Sequence, residues 1–135
     1  MQVKLIKVLE LKTLSERIKD LKLPLKLMYK LSKFFEAVEK ESDFYSTQVR
    51  KILDEYAEKD EHGAFIHPKE DDPASIQIKP NCTAIVVKLL NELLAVEATL
   101  PDFNLTFEEA EQLNLSMNEF NALLPFIEEE KEDSK

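Results

Sequence analysis

Residues 24–56 read PLKLMYKLSKFFEAVEKESDFYSTQVRKILDEY, a stretch with no glycine and with proline only at its first position. Apolar residues recur in it at steps of three and four, which predicts a long amphipathic helix. The steps fit a seven-residue repeat with one polar break, made of Met28, Leu31, Phe35, Val38, Ser42, Tyr45, Val49, Ile52 and Tyr56. At 1.5 Å per residue, this helix would be roughly 50 Å long. We therefore expect a helix at 24–58 to form the spine of the fold.

The segment before the spine predicts a shorter helix that packs against it. Apolar residues at Leu11, Leu14, Ile18 and Leu21 mark a helix at about 8–21, and residues 2–7 favour a short strand before it. Pro24 suits the first turn of the next helix. Because the connection is only about three residues, we expect the two helices to form an antiparallel hairpin.

A second covering helix is predicted near 82–96, with Asn81 or Thr83 as its cap, packed near Val49, Ile52 and Tyr56 of the spine. The polar stretch before it, 58–80, contains two β-prone runs, which predict a small hairpin near 64–79. Gly63 is placed to end the spine in a left-handed conformation.

The C-terminal part predicts short helices. Thr106 with Glu109 has the spacing of a capping box and opens a helix to about Leu113. Ser116 with Glu119 repeats the spacing and opens a last helix through Ile127, which Pro125 should bend or shorten. We expect one mainly α domain with minor β structure over 1–127, followed by a charged, disordered tail at 128–135.

Composition excludes several functional classes. The single glycine, Gly63, argues against phosphate-binding loops, and the single cysteine, Cys82, allows neither an internal disulfide nor a zinc knuckle. No window approaches 18 apolar residues, and the first twelve lack the apolar core of a signal peptide. We therefore expect a protein of the reducing cytoplasm that does not enter the membrane.

Charge is distributed unevenly along the chain. The net charge is −9, yet residues 1–33 contain nine Lys or Arg and three acids, so the rest carries −15. The overall sign argues against direct nucleic-acid binding. The basic end can instead contact an acidic surface, including one on the same protein.

No set of residues predicts catalysis. His62 and His67 lie in an acidic loop, but their spacing matches no metal site, and Cys82 at a helix start has no histidine held beside it. Packing is the favoured role for the thiol. We predict no enzyme activity, no cofactor and no metal.

Two groups of side chains are candidates for binding a protein partner. Phe34, Phe44 and Phe65 are aromatic candidates, since Phe34 and its neighbour Phe35 cannot both lie in one narrow seam. The second group is the acidic run that contains Asp54, Glu55, Glu58, Asp60 and Glu61. This run either imitates a phosphate backbone or is simply a solvated helix end.

Four stretches of the chain resemble a family of small phage and prophage proteins of Gram-positive bacteria whose function is unknown. They are LPLKLMYKLSK at 23–33, the acidic stretch at 36–41, RKILDEYAEKDEHG at 50–63 and LNELLAVE at 90–97. The resemblance spans roughly residues 4 to 127 and implies an intracellular phage protein, with no catalytic residues to transfer. It implies a role either in virion assembly or early in infection of the host cell.

We therefore expect a non-enzymatic protein that binds other proteins as a virion-associated or assembly component, in the host cytoplasm or in the virion. Its partner would be a phage structural protein or a host protein, and a homo-oligomer is also compatible with the sequence. The alternative is an acidic inhibitor of a host defence or nucleic-acid-processing protein.

Overall fold

The computed structural model describes residues 1–69, 71–72 and 75–127. The chain is 59% helical, with a long helix packed by other helices and a small antiparallel sheet, which confirms the mainly α prediction. In chain order the elements are β1 (Gln2–Lys4), α1 (Leu5–Ile18), α2 (Leu25–Tyr56), α3 (Thr83–Leu94), β2 (Glu97–Thr99), α4 (Phe107–Glu111), α5 (Met117–Leu123) and a 3-10 turn at Leu124–Phe126. The tail predicted at 128–135 lies outside the described residues.

The described residues group into two compact units. Unit 1 consists of Met1–Ser42 and the described residues from Glu97 onward, and unit 2 is Asp43–Val96. Helix α2 contributes its residues up to Ser42 to unit 1 and the remainder to unit 2.

In unit 1, α1 is the central helix of the core. Its buried residues recur at steps of three and four and are Leu5, Val8, Leu11, Leu14 and Ile18. The helix starts at Leu5 rather than near residue 8, because Leu5 and Val8 extend the same apolar face by one turn. Lys12 of α1 pairs with Glu39 of α2, in agreement with the predicted antiparallel hairpin.

The small sheet joins the N-terminus to the segment after α3. Strand β1 pairs antiparallel with β2, and Val3 lies opposite Ala98. The N-terminal amine donates a hydrogen bond to the Leu100 carbonyl at 2.8 Å. The strand predicted at 2–7 is thus shorter than expected, since α1 begins directly after Lys4.

The apolar seam of α2 in unit 1 differs from the predicted repeat. Its buried residues are Leu27, Leu31, Phe34, Val38 and Ser42. Phe34, predicted to be an exposed aromatic, is only 1% exposed, and Met28 of the predicted seam is exposed instead. The Phe34 ring stacks on Phe103 with centroids 4.1 Å apart. The C-terminal segment supplies this partner, which the periodicity of α2 alone does not reveal.

The C-terminal helices complete unit 1. Both predicted capping boxes, Thr106 with Glu109 and Ser116 with Glu119, are present with reciprocal hydrogen bonds. Helix α5 ends at Leu123, and the 3-10 turn that follows contains Pro125, which confirms the predicted shortening. These helices contact α1 and α2. The sequence predicted that only the helices at 8–21 and 82–96 would cover the long helix.

Unit 2 contains the end of α2, the following loop and α3. The two runs of the predicted hairpin near 64–79 do meet, since the N–H of Gln77 donates to the Ile66 carbonyl at 2.9 Å. Within the described residues they do not form a regular two-stranded ladder, because each run also bridges to the chain that leaves α2, through Ala57 with Ile78 and Lys59 with Phe65. The regular two-stranded sheet of the described residues lies in unit 1.

The starts and ends of the helices in unit 2 differ from expectation. Helix α3 has Cys82 as its N-cap without a side-chain hydrogen bond, and Asn81 instead adopts a left-handed φ of 66°. The predicted cap at Asn81 or Thr83 is therefore wrong. Gly63, also left-handed, closes a turn in which its N–H donates to the Asp60 carbonyl at 3.0 Å, seven residues beyond Tyr56, the last residue of α2.

Candidate protein-binding surfaces

Unit 2 exposes more large apolar side chains than it buries. Its buried apolar residues within the described chain are Ala57, Val86 and Leu93. Its exposed large apolar residues are Phe44, Ile66, Ile85, Val87 and Val96. Single exposed apolar residues are ordinary on protein surfaces, but a small unit with this balance has apolar area available for a partner.

Helix α3 contributes most to this balance. Val86 and Leu93, seven residues apart, form its buried side. Val87 is 52% exposed, and Leu90 and Leu94, at the third and seventh positions after it, are half-buried. These three residues lie on one stripe of the helix, and Ile85 is exposed on the other flank. The exposed side chains of α3, Ile85 and Val87, are the candidate site.

The aromatic candidates from the sequence have different environments. Phe44 is 46% exposed, as predicted. Phe65 is half-buried and lies between two cations, 5.2 Å from the Arg50 guanidinium and 5.6 Å from the Lys59 amine, measured to the ring centroid. These cation–π contacts fix the loop to α2. Phe34, buried in unit 1, is not available to a partner.

Two of the acidic candidates already have partners within unit 2. Asp54 pairs with Lys59 at 3.1 Å and with Arg50 at 3.6 Å. The hydrogen bond from Lys59 is the largest cause that lowers the pKa of Asp54. Asp60 accepts hydrogen bonds from the backbone N–H groups of His62 and Ala64 at 2.8 and 3.0 Å. These two acids therefore shape the loop.

The other acidic candidates have freer carboxylates. Glu55 and Glu58 make no ion pair with any described residue, and Glu61 lies 3.6 Å from the exposed His62 ring. Burial is the largest cause that raises the pKa of the neighbouring Tyr56, followed by the charges of Glu55 and Cys82. The Tyr56 carbonyl accepts a hydrogen bond from the Lys79 N–H at 2.8 Å, which places Tyr56 beside the chain that leads into α3.

The residues considered for chemistry are not assembled into a site. The Nδ1–H of His67 donates to the Ser75 carbonyl at 2.6 Å, while His62 is largely exposed and Cys82 is half-buried. Among the residues that the structure describes, no three histidine, cysteine or acidic side chains come together as a metal-binding group.

Unit 1 contains a surface that the sequence did not single out. Leu25 and Tyr29, in the first turns of α2, are 78% and 66% exposed. Lys22, Lys26 and Lys33 surround them and are exposed as well. We call these five residues the basic face. The local excess of nine Lys or Arg over three acids in residues 1–33 was its only sign in the sequence.

A groove of about 530 Å³ lies between α1 and α2 in unit 1. Apolar residues that include Leu31 and Phe35 line it. The charges at its rim pair with one another, since Lys12 contacts both Glu16 and Glu39. The hydrogen bonds that the Lys12 ammonium donates to Glu39 and Glu16 raise its pKa. The groove therefore has no unpaired charge at its rim with which to select a ligand.

No family model, curated protein or solved structure matches this chain. Within the described residues, no helix is both long and apolar enough to cross a bilayer.

Proposed function

We propose that this chain is a non-enzymatic protein that acts by binding another protein through unit 2. The observation that supports this proposal most directly is the exposure of Ile85 and Val87 on α3, in a unit whose described residues include only three buried apolar side chains. Burial of apolar area at roughly 25 cal/mol per Å² is the main driving force for protein association. Ile85 and Val87 lie on opposite flanks of one regular helix, so each flank offers such area on a rigid support.

The biological role that we propose is that of a virion-associated or assembly component of a phage. The support for this role is the resemblance of residues 4–127 to small phage proteins, together with the protein-binding surface of unit 2. The partner would then be a phage structural protein, and its apolar surface would cover α3. Phe44, which is also exposed in unit 2, is a further candidate contact.

The alternative role, an acidic inhibitor of a host nucleic-acid-processing protein, has less support. A phosphate mimic needs carboxylates that are free to meet the cations of its target. Asp54 and Asp60 are engaged within their own loop, so only Glu55, Glu58 and Glu61 remain from the candidate acidic group.

The proposal is tested by a double variant of α3, I85S/V87S, and a matched control, M117S. Met117 is 76% exposed in unit 1, so the control removes a more exposed apolar side chain from the other unit. Immobilised wild-type protein and both variants are exposed to a lysate that contains the phage proteins, and captured proteins are identified by mass spectrometry. Each captured protein is then purified and its affinity is measured by calorimetry.

We expect a phage structural protein that binds the wild type and M117S and binds I85S/V87S at least about tenfold more weakly, because the lost area lies within the interface. Equal binding by all three proteins would contradict the proposed surface. Capture of a host nuclease or replication protein in a salt-sensitive manner would favour the inhibitor role instead. Circular dichroism of each variant checks that the helices remain formed.

A further inference from the structure

The charges at both ends of α2 oppose its dipole. The helix macrodipole favours acids near the N-terminus and bases near the C-terminus. Helix α2 has no acid in its first turn, which contains Lys26, and no base in its last turn, which contains Asp54 and Glu55. Three other helices follow the rule at one end, since α4 and α5 have acids in their first turns and α1 has Arg17 in its last turn, and α3 has neither charge at its ends. An unfavourable local charge at both ends of one helix suggests a role for these ends beyond folding.

The basic face at the start of α2 has the composition of a small protein-binding surface. Lys22, Lys26 and Lys33 form no ion pair with the described residues, whereas the neighbouring Lys30 pairs with Glu109 at 2.9 Å. Exposed Leu25 and Tyr29 lie among these lysines, and the Lys33 amine lies 5.6 Å from the centroid of the Tyr29 ring. The face thus has an apolar centre and a rim of uncompensated positive charge, as interfaces commonly do.

The C-terminal end of α2 and the loop that follows it carry negative charge beside an exposed apolar side chain. Ile66 is 37% exposed, and its N–H donates to the Glu58 carbonyl at 3.3 Å, which places it beside that acid. Asp60 is engaged by backbone N–H groups of its own loop, and the acids around this part of unit 2 that have no lysine or arginine partner among the described residues are Glu55, Glu58 and Glu61. We call Ile66 together with these three acids the acidic end. The acidic end, like the basic face, combines apolar area with charge, but its charge is negative.

We infer that the basic face of one copy binds the acidic end of a second copy. Charge complementarity supports this choice of occupant, because both surfaces are present on every chain and each has free charges. The contact joins two different surfaces, so it is heterologous, and copies associate head to tail into a ring or an open chain.

The surroundings of the basic face favour a protein over a nucleic acid or a bilayer. Asp102 lies beside Tyr29 and Lys33 at the same surface depression, and Glu109 is paired with Lys30. Residues 97–127 contain six acids and no Lys or Arg. A polyanion that extends beyond the small basic face would meet these acids and be repelled, whereas the compact acidic end of another copy can avoid them.

The experiment uses the purified full chain and measures its mass by sedimentation velocity over a wide range of protein concentrations. We expect the average mass to rise with concentration and to rise less at high salt, since salt screens exposed charges. The variant K22E/K26E places like charges opposite each other, so its self-association should be about 100-fold weaker. Its melting temperature should stay the same or increase, because an acid in the first turn suits the dipole.

The control variant K40E changes the charge of another exposed lysine of α2, outside the basic face, and should associate as the wild type does. A mixture of two charge-reversed variants then tests whether a second copy of the chain binds the basic face. E58K/E61K alone should not self-associate, but its mixture with K22E/K26E should form complexes, since opposite charges face each other again.

Three results would overturn the inference. They are a strict monomer at all concentrations, association that K22E/K26E leaves unchanged, and failure of the mixed variants to bind each other. A contact between the two surfaces within one molecule would give the first of these results. The inference does not rest on the proposed function, because the assay contains no phage or host protein and leaves Ile85 and Val87 intact. Either proposal can therefore fail while the other holds.

Discussion

The two units of this chain differ in how they use their apolar residues. The described part of unit 1 buries 19 apolar side chains, whereas the described part of unit 2, which spans Asp43–Val96, buries three. In unit 1, apolar side chains from α1, α2 and the C-terminal segment converge. In unit 2, the corresponding residues of α2, such as Val49 and Ile52, are only half-buried.

This difference teaches that an apolar period with one polar break can continue along a helix while the structural role of the helix changes. The apolar repeat of α2 continues through both units, but the buried residues of α2 all lie in unit 1. We expect unit 1 to carry most of the stability of the fold and unit 2 to be the part that gains most from a partner. The following predictions test this division, beginning with the largest effect.

The largest effect should come from Phe34→Ala in unit 1. Phe34 is fully buried, stacked on Phe103 and in edge contact with Phe126, so its removal leaves a cavity within an aromatic cluster. We expect a loss of about 3–5 kcal/mol in the free energy of unfolding. Urea unfolding followed by circular dichroism measures it.

The control for this prediction is Phe44→Ala, the same substitution at an exposed position of the same helix in unit 2. Its effect should be within about 0.5 kcal/mol of zero. Similar losses for both variants would show that the exposure of Phe44 does not describe the protein in solution.

A second comparison uses one substitution in both units. Leu14→Ala in unit 1 should cost about 3 kcal/mol, since Leu14 lies in a closely packed helix face. Leu93→Ala in unit 2 should cost only about 1–2 kcal/mol, because its half-exposed neighbours can move into the space. Both free energies come from urea unfolding. A larger loss in the free energy of unfolding for Leu93→Ala would mean that the core of unit 2 is packed as closely as that of unit 1.

Much of the fold was predictable from local signals in the sequence. The spacing of Thr106 with Glu109 and of Ser116 with Glu119 located two helix starts to the residue, because a capping box satisfies backbone donors within four residues of chain. The long helix α2 followed from its period and lack of glycine. These features depend only on neighbours in sequence, so no tertiary information was needed.

The errors come from contacts between distant parts of the chain. The choice between Phe34 and Phe35 as the buried ring depends on Phe103 and Phe126, which lie more than 60 residues away in sequence. The pairing of β1 with β2 is equally distant. For the candidate site, the sequence found the exposed Phe44 and the acidic end, but exposure of Leu25, Tyr29 and Val87 depends on which neighbours cover each helix.

The ion pairs of the two units should respond differently to acid. Arg17 donates to Glu119 at 2.6 Å, which is the largest cause that lowers the pKa of Glu119 below its ordinary value of 4.5. A carboxyl with a lowered folded pKa stabilises the fold above its unfolded pKa, and this contribution is lost as pH falls through the folded pKa. Unit 1 should therefore lose stability as the pH drops below about 4.5.

Glu119→Gln is the variant for this prediction, because glutamine keeps the capping hydrogen bond and removes the charge. We expect it to lower stability at pH 7 by about 0.5–1 kcal/mol and to flatten the fall in melting temperature between neutral and acidic pH. Asp54→Asn in unit 2 removes a more exposed partner and should change this profile less. A steeper acid response for Asp54→Asn would place the important ion pairs in unit 2.

The smallest predicted effect concerns Ser42, the last residue of unit 1 in α2. Ser42 is the buried polar residue among those described, and its hydroxyl makes no hydrogen bond to another described residue. A buried hydroxyl without a partner reduces stability, and serine is also a weaker helix former than alanine. Ser42→Ala should therefore stabilise the protein by about 0.5–1 kcal/mol.

Ser46→Ala, one turn later and exposed in unit 2, separates the two causes of this gain. This substitution changes helix propensity by the same amount, but the Ser46 hydroxyl that it removes is not buried in an apolar core. The gain in stability should therefore be about 0.5 kcal/mol or less. Thermal unfolding of both variants measures the difference. A larger gain in stability for Ser42→Ala than for Ser46→Ala would show that the apolar core of unit 1 extends to Ser42. An equal gain would mean that water already reaches the helix at Ser42, before unit 2 begins.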